Sequence, residues 1–266
     1  MCGIAGYSLT PDSSIERTLA AQALLAGIAE RGADAVGYAH RAPSVGPAHV
    51  VKQRSGASEL LDRISVPAEA TQLLVHVRDY TKGHPSIAAN NHPVRHGPVV
   101  GIHNGLIVND EEILAGYPCA RSEPKMTVDS EAIFAVVTHG DARREALERL
   151  RGAMATAWLD ERDPDVVHVA RGMGRPLWLG SGSGSVFFAS TRVALEVVER
   201  FLHLKLRKQE LGEGTYLALR EGSIETRERF RPDMSYVEEN PLPSVRAPRE
   251  AEFCLTRLAA LVAAAA

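Results

Sequence analysis

The chain has 266 residues, 45% of them hydrophobic and 24% charged, with a formal net charge of -3. That length can bury a real core in one large domain or two small ones, and a charge so near zero gives no bulk attraction to nucleic acid. No apolar run approaches the ~20 residues that cross a bilayer, and no basic stretch followed by an apolar one opens the chain, so neither membrane insertion nor a secretory signal is expected and a cytoplasmic location is the default.

In chain order, residues 3–9 read as a short strand. Ser13 and Glu16 have the Ser-x-x-Glu spacing of a capping box, ahead of a helix with Ile15, Leu19, Leu24, Leu25 and Ile28 near helical period and Gly32 as its stop signal. Strands are predicted at 36–40 and 49–52, a short helix at 57–64 and a strong strand at 72–77. Residues 79–97, rich in His, Pro, Asn and Gly, read as loop. A second strong strand at 99–103 ends at Asn104-Gly105, a turn signal. Helices follow at 130–139 and 143–151.

Beyond residue 152 the pattern turns to strands, at 154–159, 166–170, 177–180, 186–189 and 215–220, with a helix at 193–200. The Ser/Gly run at 180–184 reads as a hairpin turn, since no helix follows it to cradle a phosphate. Residues 231–248, rich in Pro, Glu and Arg, read as an extended tail, and 251–266 as an Ala/Leu helix with Leu258, Leu261 and Val262 at helical spacing. That helix either packs on its own domain or docks on a partner. The division expected is residues 2–230 as one domain and 231–266 as a tail with a terminal helix.

The three cysteines, Cys2, Cys119 and Cys254, have no metal-like pair spacing and no disulfide framework. Cys119 and Cys254 read as small buried hydrophobes. Cys2 differs by position. Removal of Met1 would expose it as the new N-terminus, and an N-terminal Cys has its nucleophile and a base on one residue: a thiol, and an α-amine with a reference pKa of ~7.7–8.0. Five histidines fall between His76 and His103, but without a helical His-x-x-x-His pair or a neighbouring Cys they favour packing over zinc. No metal and no cofactor is expected.

The opening Met1-Cys2-Gly3-Ile4-Ala5-Gly6 resembles the start of class II glutamine amidotransferases of the N-terminal-nucleophile hydrolase superfamily. Arg31-Gly32-Ala33-Asp34, His76-Val77-Arg78, Asn91-His92-Pro93, His103-Asn104-Gly105-Leu106-Ile107 and Val128-Asp129-Ser130-Glu131 match in the expected order. More loosely, Ala170-Arg171-Gly172 through Pro176-Leu177, and Phe188-Ala189-Ser190, resemble later strands. The resemblance covers roughly residues 2–220.

The resemblance implies an α+β fold, a four-layer αββα sandwich of two antiparallel sheets. It also implies hydrolysis of the glutamine side-chain amide through a γ-glutamyl thioester on Cys2, with the Asn104 amide and the Gly105 N–H receiving the oxyanion. Arg78 would take the substrate α-carboxylate, whose two oxygens match a planar guanidinium. Asp129 would take the α-ammonium, with helix capping as its ordinary alternative. Thr81 belongs to the substrate loop. Arg31 and His103 support the site, Arg31 either as a positive field near the thiolate or as an ion pair with Asp34.

The chain departs from the family at Asp79-Tyr80-Thr81-Lys82-Gly83, where relatives commonly have Trp, Ala, Thr and His before Gly; Asp79 and Lys82 do not fit. It also has no room for a synthase or transferase domain, so the expectation is a stand-alone glutaminase that passes ammonia from L-glutamine to an acceptor subunit in trans. Alternatives are a γ-glutamyl amide hydrolase without ammonia transfer and an inactive interaction module.

Overall fold

The computed structural model describes residues 1–42, 46–117, 121–140, 143–239 and 243–265. Cys119 lies outside them. The first half runs β1 Gly3–Leu9, α1 Arg17–Ile28, a 3-10 turn at Ala29–Arg31, β2 Ala35–Arg41, β3 His49–Gln53, α2 Ala57–Leu61, β4 Gln72–Arg78, β5 Val94–His96, β6 Val99–Ile107, α3 Asp110–Ala115 and α4 Glu131–His139. The second runs α5 Arg143–Glu148, β7 Gly152–Asp160, β8 Asp163–Arg171, β9 Trp178–Gly182, β10 Ser185–Ala189, α6 Arg192–Leu202, β11 Arg207–Glu210, β12 Thr215–Arg220, β13 Ser223–Arg229 and α7 Pro248–Ala265.

The strands form two antiparallel sheets, ordered β11-β9-β10-β1-β4-β2-β3 and β13-β12-β8-β7-β6-β5. Period-two alternation sends residues of one strand to opposite faces. Ala5, Tyr7 and Leu9 of β1 join the layer under α1, α6 and α7, while Ile4 packs between the sheets with Leu74, Ile102, Val169 and Leu217. On the far face Trp158 and Met154 meet Ile133, Phe134 and Val137 of α4. Three apolar layers between four structural ones make the αββα sandwich.

Several local expectations are corrected. The Ser13 capping box does not form: Glu16 is the N-cap of α1, and its carboxylate accepts from the Thr18 and Leu19 amides. Asn104-Gly105 is not a turn, because β6 runs on to Ile107 with Asn104 opposite Ala155 and Gly105 opposite Met154 of β7. The 79–97 loop contains β5, and α3, β11 and β13 had not been predicted. The β9–β10 hairpin matches the Ser/Gly run. The terminal helix α7 packs on its own domain: Cys254 and Leu258 are fully buried in the layer that contains α1, so Leu258 is not free to meet a partner.

Candidate active site

Strand β1 begins at the site. It pairs Gly3 with Val77 of β4, which sets Cys2 beside Arg78 and Asp79 at the end of that strand. The Cys2 thiol donates to the Asp79 carbonyl at 3.4 Å, and the terminal ammonium of Met1 pairs with the Asp79 carboxylate. Strand β6, in the other sheet, brings Asn104 and Gly105 to the same place. Cys2, Arg78, Thr81, His103, Gly105 and Asp129 line one narrow pocket. A second narrow hollow shares Cys2, Thr81 and Gly105 and adds Asn104, Met1, Asp79 and Arg175. All eight predicted residues thus converge except Arg31, which sits one contact behind. Two larger open hollows, around His168 and around Ser13, contain none of them.

The Asn104 side chain is fully buried, and both its amide nitrogen and its oxygen are without partners. A buried amide left open is costly, about 1–3 kcal/mol, and such groups gather where a ligand will supply the missing bond. Gly105 has φ +150°, and a Cβ there would lie 1.9 Å from the Ala153 carbonyl oxygen. Only glycine fits this strand position, beside a bare backbone facing Cys2.

Arg31 and Arg78 are 1% and 2% exposed. Their hydrogen bonds go to neutral oxygens: Arg31 Nε to the Cys2 carbonyl at 2.8 Å, and Arg78 to Asn91 Oδ1 at 2.7 Å and to the carbonyls of Lys82 and Gly83. Arg31 does not pair with Asp34, whose carboxylate instead accepts the Tyr80 amide at 2.9 Å. Of the two expectations for Arg31, the ion pair with Asp34 does not form; Arg31 holds the Cys2 carbonyl instead. Burial raises the Cys2 thiol pKa, and the Asp79 carbonyl bond, Arg78 and the terminal ammonium oppose it.

Gly32 explains the rest of its motif. A Cβ there would meet the Arg78 carbonyl at 2.4 Å, and the Asp34 amide donates to that carbonyl at 2.9 Å. The segment therefore lies against the backbone at Arg78 and pins the start of the loop that follows β4.

Asp129 does not cap α4. Its carboxylate accepts the Ile107 amide at 2.7 Å and faces the pocket, and burial pushes its pKa up to about 6. His103 bridges Ser130 Oγ at 2.9 Å and the Ala153 carbonyl at 3.3 Å, and burial holds its pKa near 3, so it is a neutral brace. His76 donates to the His103 carbonyl at 3.0 Å and stacks on His92, both buried and neutral. Among the described residues no group of three His, Cys, Asp or Glu is arranged to hold a metal.

Sequence reading missed Asn90, Asp79 and Arg175. Asn90 ties the amides of Thr127 and Val128 to the His84 carbonyl, which joins the Arg78 loop to the Asp129 segment. Chemically, the site offers a thiol, open donors beside it, one guanidinium and one carboxylate at the far end. That set fits a zwitterion whose side chain reaches the thiol.

A family model described as a glutamine amidotransferase domain matches residues 79–197. Over 220 residues the chain is 32% identical to the glutamine–fructose-6-phosphate aminotransferase (isomerizing) of Salmonella typhi, and 32% identical to that of Escherichia coli K12. Over 217 residues it is 30% identical to the same enzyme of Shouchella clausii. Each match covers 77% of this chain and 34% of the relative, so the chain spans about a third of their length. Among solved structures, the glutamine phosphoribosylpyrophosphate amidotransferase from B. subtilis superposes with a TM-score of 0.66 at 18% identity, over 86% of this chain and 49% of that one. A structure titled as the allosteric regulatory enzyme of purine biosynthesis gives 0.67, with the same identity and coverage. These structures share the fold of two stacked antiparallel sheets with helices outside.

Proposed function

We propose, for a chain that belongs to the class II glutamine amidotransferases, that Cys2 hydrolyses the side-chain amide of glutamine and that the ammonia released serves an acceptor on another protein. The observation that carries this reading is the buried, unpartnered Asn104 amide beside Gly105 in the hollow that also holds Cys2. Removal of Met1 frees the Cys2 α-amine as a base. The thiol gives it a proton, and the sulfur attacks the amide carbon. The oxyanion is received by Asn104 Nδ2 and the Gly105 N–H, donors worth on the order of 3–4 kcal/mol each when aimed at developing charge. The C–N bond breaks, the amine returns its proton to the departing nitrogen, and ammonia leaves a γ-glutamyl thioester. Water, deprotonated by the same amine, cleaves the thioester to glutamate.

At the other end, Arg78 takes the α-carboxylate with the guanidinium N–H groups it does not spend on the loop, and Asp129 takes the α-ammonium. Thr81 lines both hollows between these ends. The glutaminase unit is residues 2–230, followed by a C-terminal segment that ends in α7.

The test is ammonia release from glutamine and from γ-glutamyl amides, with N-terminal processing checked by intact mass. Cys2→Ala is expected to abolish release while keeping glutamine binding by calorimetry, and Cys2→Ser to retain only a trace. Near-normal turnover by Cys2→Ala would remove the nucleophile assignment. Turnover of γ-glutamyl amides in clear preference to glutamine would make the protein a hydrolase of its own substrate, without ammonia transfer.

A further inference from the structure

Two charged side chains, Asp79 and Arg175, line the hollow that holds Cys2, Asn104 and Gly105. Each is bonded by an opposite charge from the same stretch of chain ahead of α7. Arg175, 5% exposed, forms a two-pronged pair with Glu238 at 2.8 and 2.7 Å. Its Nε is buried without a partner. Asp79, 9% exposed, meets the terminal ammonium with one oxygen and Arg246 Nε with the other, the latter at 3.3 Å. The amides of Arg246 and Ala247 both donate to the Glu30 carbonyl at 2.8 Å, which fastens this stretch to the turn that carries Arg31. The helix that follows has its own buried contacts through Cys254 and Leu258, so its docking does not depend on either pair.

Resting on the reading above, we propose that Glu238 and Arg246 are positioning residues for Cys2, setting in opposite senses the charge that its thiol and α-amine experience. The groups that face Cys2 are Arg31 from the 3-10 turn, Arg78 and Asp79 from the end of β4, and Arg175 from the loop before β9. Asp129 and Lys82 lie on the recognition side, and His103 is neutral there. In a buried hollow these charges are poorly screened. The ammonium on Asp79 here is that of Met1; once Met1 is removed, Asp79 alone would favour the ammonium form of the Cys2 amine, which cannot accept a proton. Arg246 takes up part of that negative charge. Arg175 alone would favour the thiolate and the neutral amine, and Glu238 tempers it. The two pairs therefore pull the proton affinity of Cys2 in opposite directions, although both sit on one segment.

The experiment compares Glu238→Gln and Arg246→Gln in the full-length protein. The readout is the midpoint pH for alkylation of Cys2 by iodoacetamide, followed by peptide mass. Glu238→Gln is expected to lower this midpoint and Arg246→Gln to raise it, each by a few tenths of a pH unit, and Glu238→Asp and Arg246→Lys to move back toward wild type. Alkylation midpoints that do not move, or that move the same way in both variants, overturn the proposal and leave the two pairs as fasteners of the segment. Alkylation needs no substrate, so it decides this point even if the wild-type protein fails to hydrolyse glutamine, an outcome that would sink only the preceding reading.

Discussion

The two walls of the Cys2 pocket are built in different ways. The wall with Asn104 and Gly105 is a strand, held in register with Ala155 and Met154 of β7 by a continuous ladder. The wall with Arg78, the last residue of β4, and with Thr81, Lys82 and Asp129 is built mainly of loop segments held by side chains: Arg78 on the Lys82 and Gly83 carbonyls, Asn90 on Thr127 and Val128, and Lys82 on Asp110. A donor that must meet charge developing on one oxygen tolerates errors of only tenths of an ångström, and a sheet ladder supplies that constancy. Groups that grip the polar end of a substrate can be held by hydrogen bonds that loosen and re-form as it enters and leaves. The expected division is that the strand wall governs kcat and the loop wall governs KM.

The largest effect that would test this division comes from the strand wall. Asn104→Ala removes one donor without adding bulk, and kcat is expected to fall by about 10²–10³ with KM changed less than about threefold. Gly105→Ala is expected to be worse, because its Cβ would overlap the Ala153 carbonyl and force β6 from β7; its thermal midpoint should fall as well. A loss confined to KM in Asn104→Ala would reverse the roles of the two walls.

The loop wall predicts a different signature at Asp129. Burial raises this carboxyl to about 6. An acid raised in the folded state adds stability that is complete below its unfolded pKa of about 3.9 and is lost as pH rises through 6. Ionised Asp129 is therefore a cost to the empty protein at neutral pH, and Asp129→Asn is expected to stabilise it there by up to about 3 kcal/mol, with no gain near pH 4. The same variant should raise the KM for glutamine by at least about tenfold, since no anion remains for the α-ammonium. In the wild type kcat/KM should fall about tenfold between pH 7.5 and 5 as Asp129 takes up a proton in the free enzyme. A variant both less stable and unchanged in KM would remove Asp129 from substrate recognition.

The same contrast accounts for what could be read from the sequence. The sandwich and the candidate residues were legible through the ordered motifs that carry the family resemblance, and strands such as β4 through apolar residues contiguous in the chain. Asn104-Gly105 misleads because the dipeptide is intrinsically a turn former, and only pairing with β7, some 50 residues away, keeps it extended. Strand β13 was invisible for a related reason: Ser223–Arg229 is an exposed polar edge with no hydrophobic alternation to detect. α3 leaves a signal in the sequence, three acidic residues from Asp110 to Glu112 just ahead of Ile113 and Leu114. The pairs from Glu238 and Arg246 leave no local trace, since each joins residues more than 60 apart.

The smallest predicted effect is also the most specific to the loop wall. Lys82 Nζ reaches both oxygens of Asp110 at 2.8 Å, and its carbonyl accepts from Arg78. It thereby links Arg78 to α3. The ammonium is about one-third exposed and Asp110 is nearly buried. Arg121 also contacts Asp110, at 3.3 Å, and remains after Lys82 is removed. Half of the pair faces water and one cation stays behind, so the contact is worth on the order of 1 kcal/mol. Lys82→Met keeps the length of the side chain and drops the charge. Its KM for glutamine is expected to rise roughly fivefold, the equivalent of that energy, with kcat within about twofold of wild type. A second consequence follows from charge alone. Lys82 lowers the proton affinity of Asp129 and Asp110 raises it, so Lys82→Met leaves Asp110 less compensated and should move the acidic limb of kcat/KM upward. A variant that lost kcat in proportion to KM would show that this loop also orders Cys2 and the oxyanion donors, and the division between the two walls would not hold.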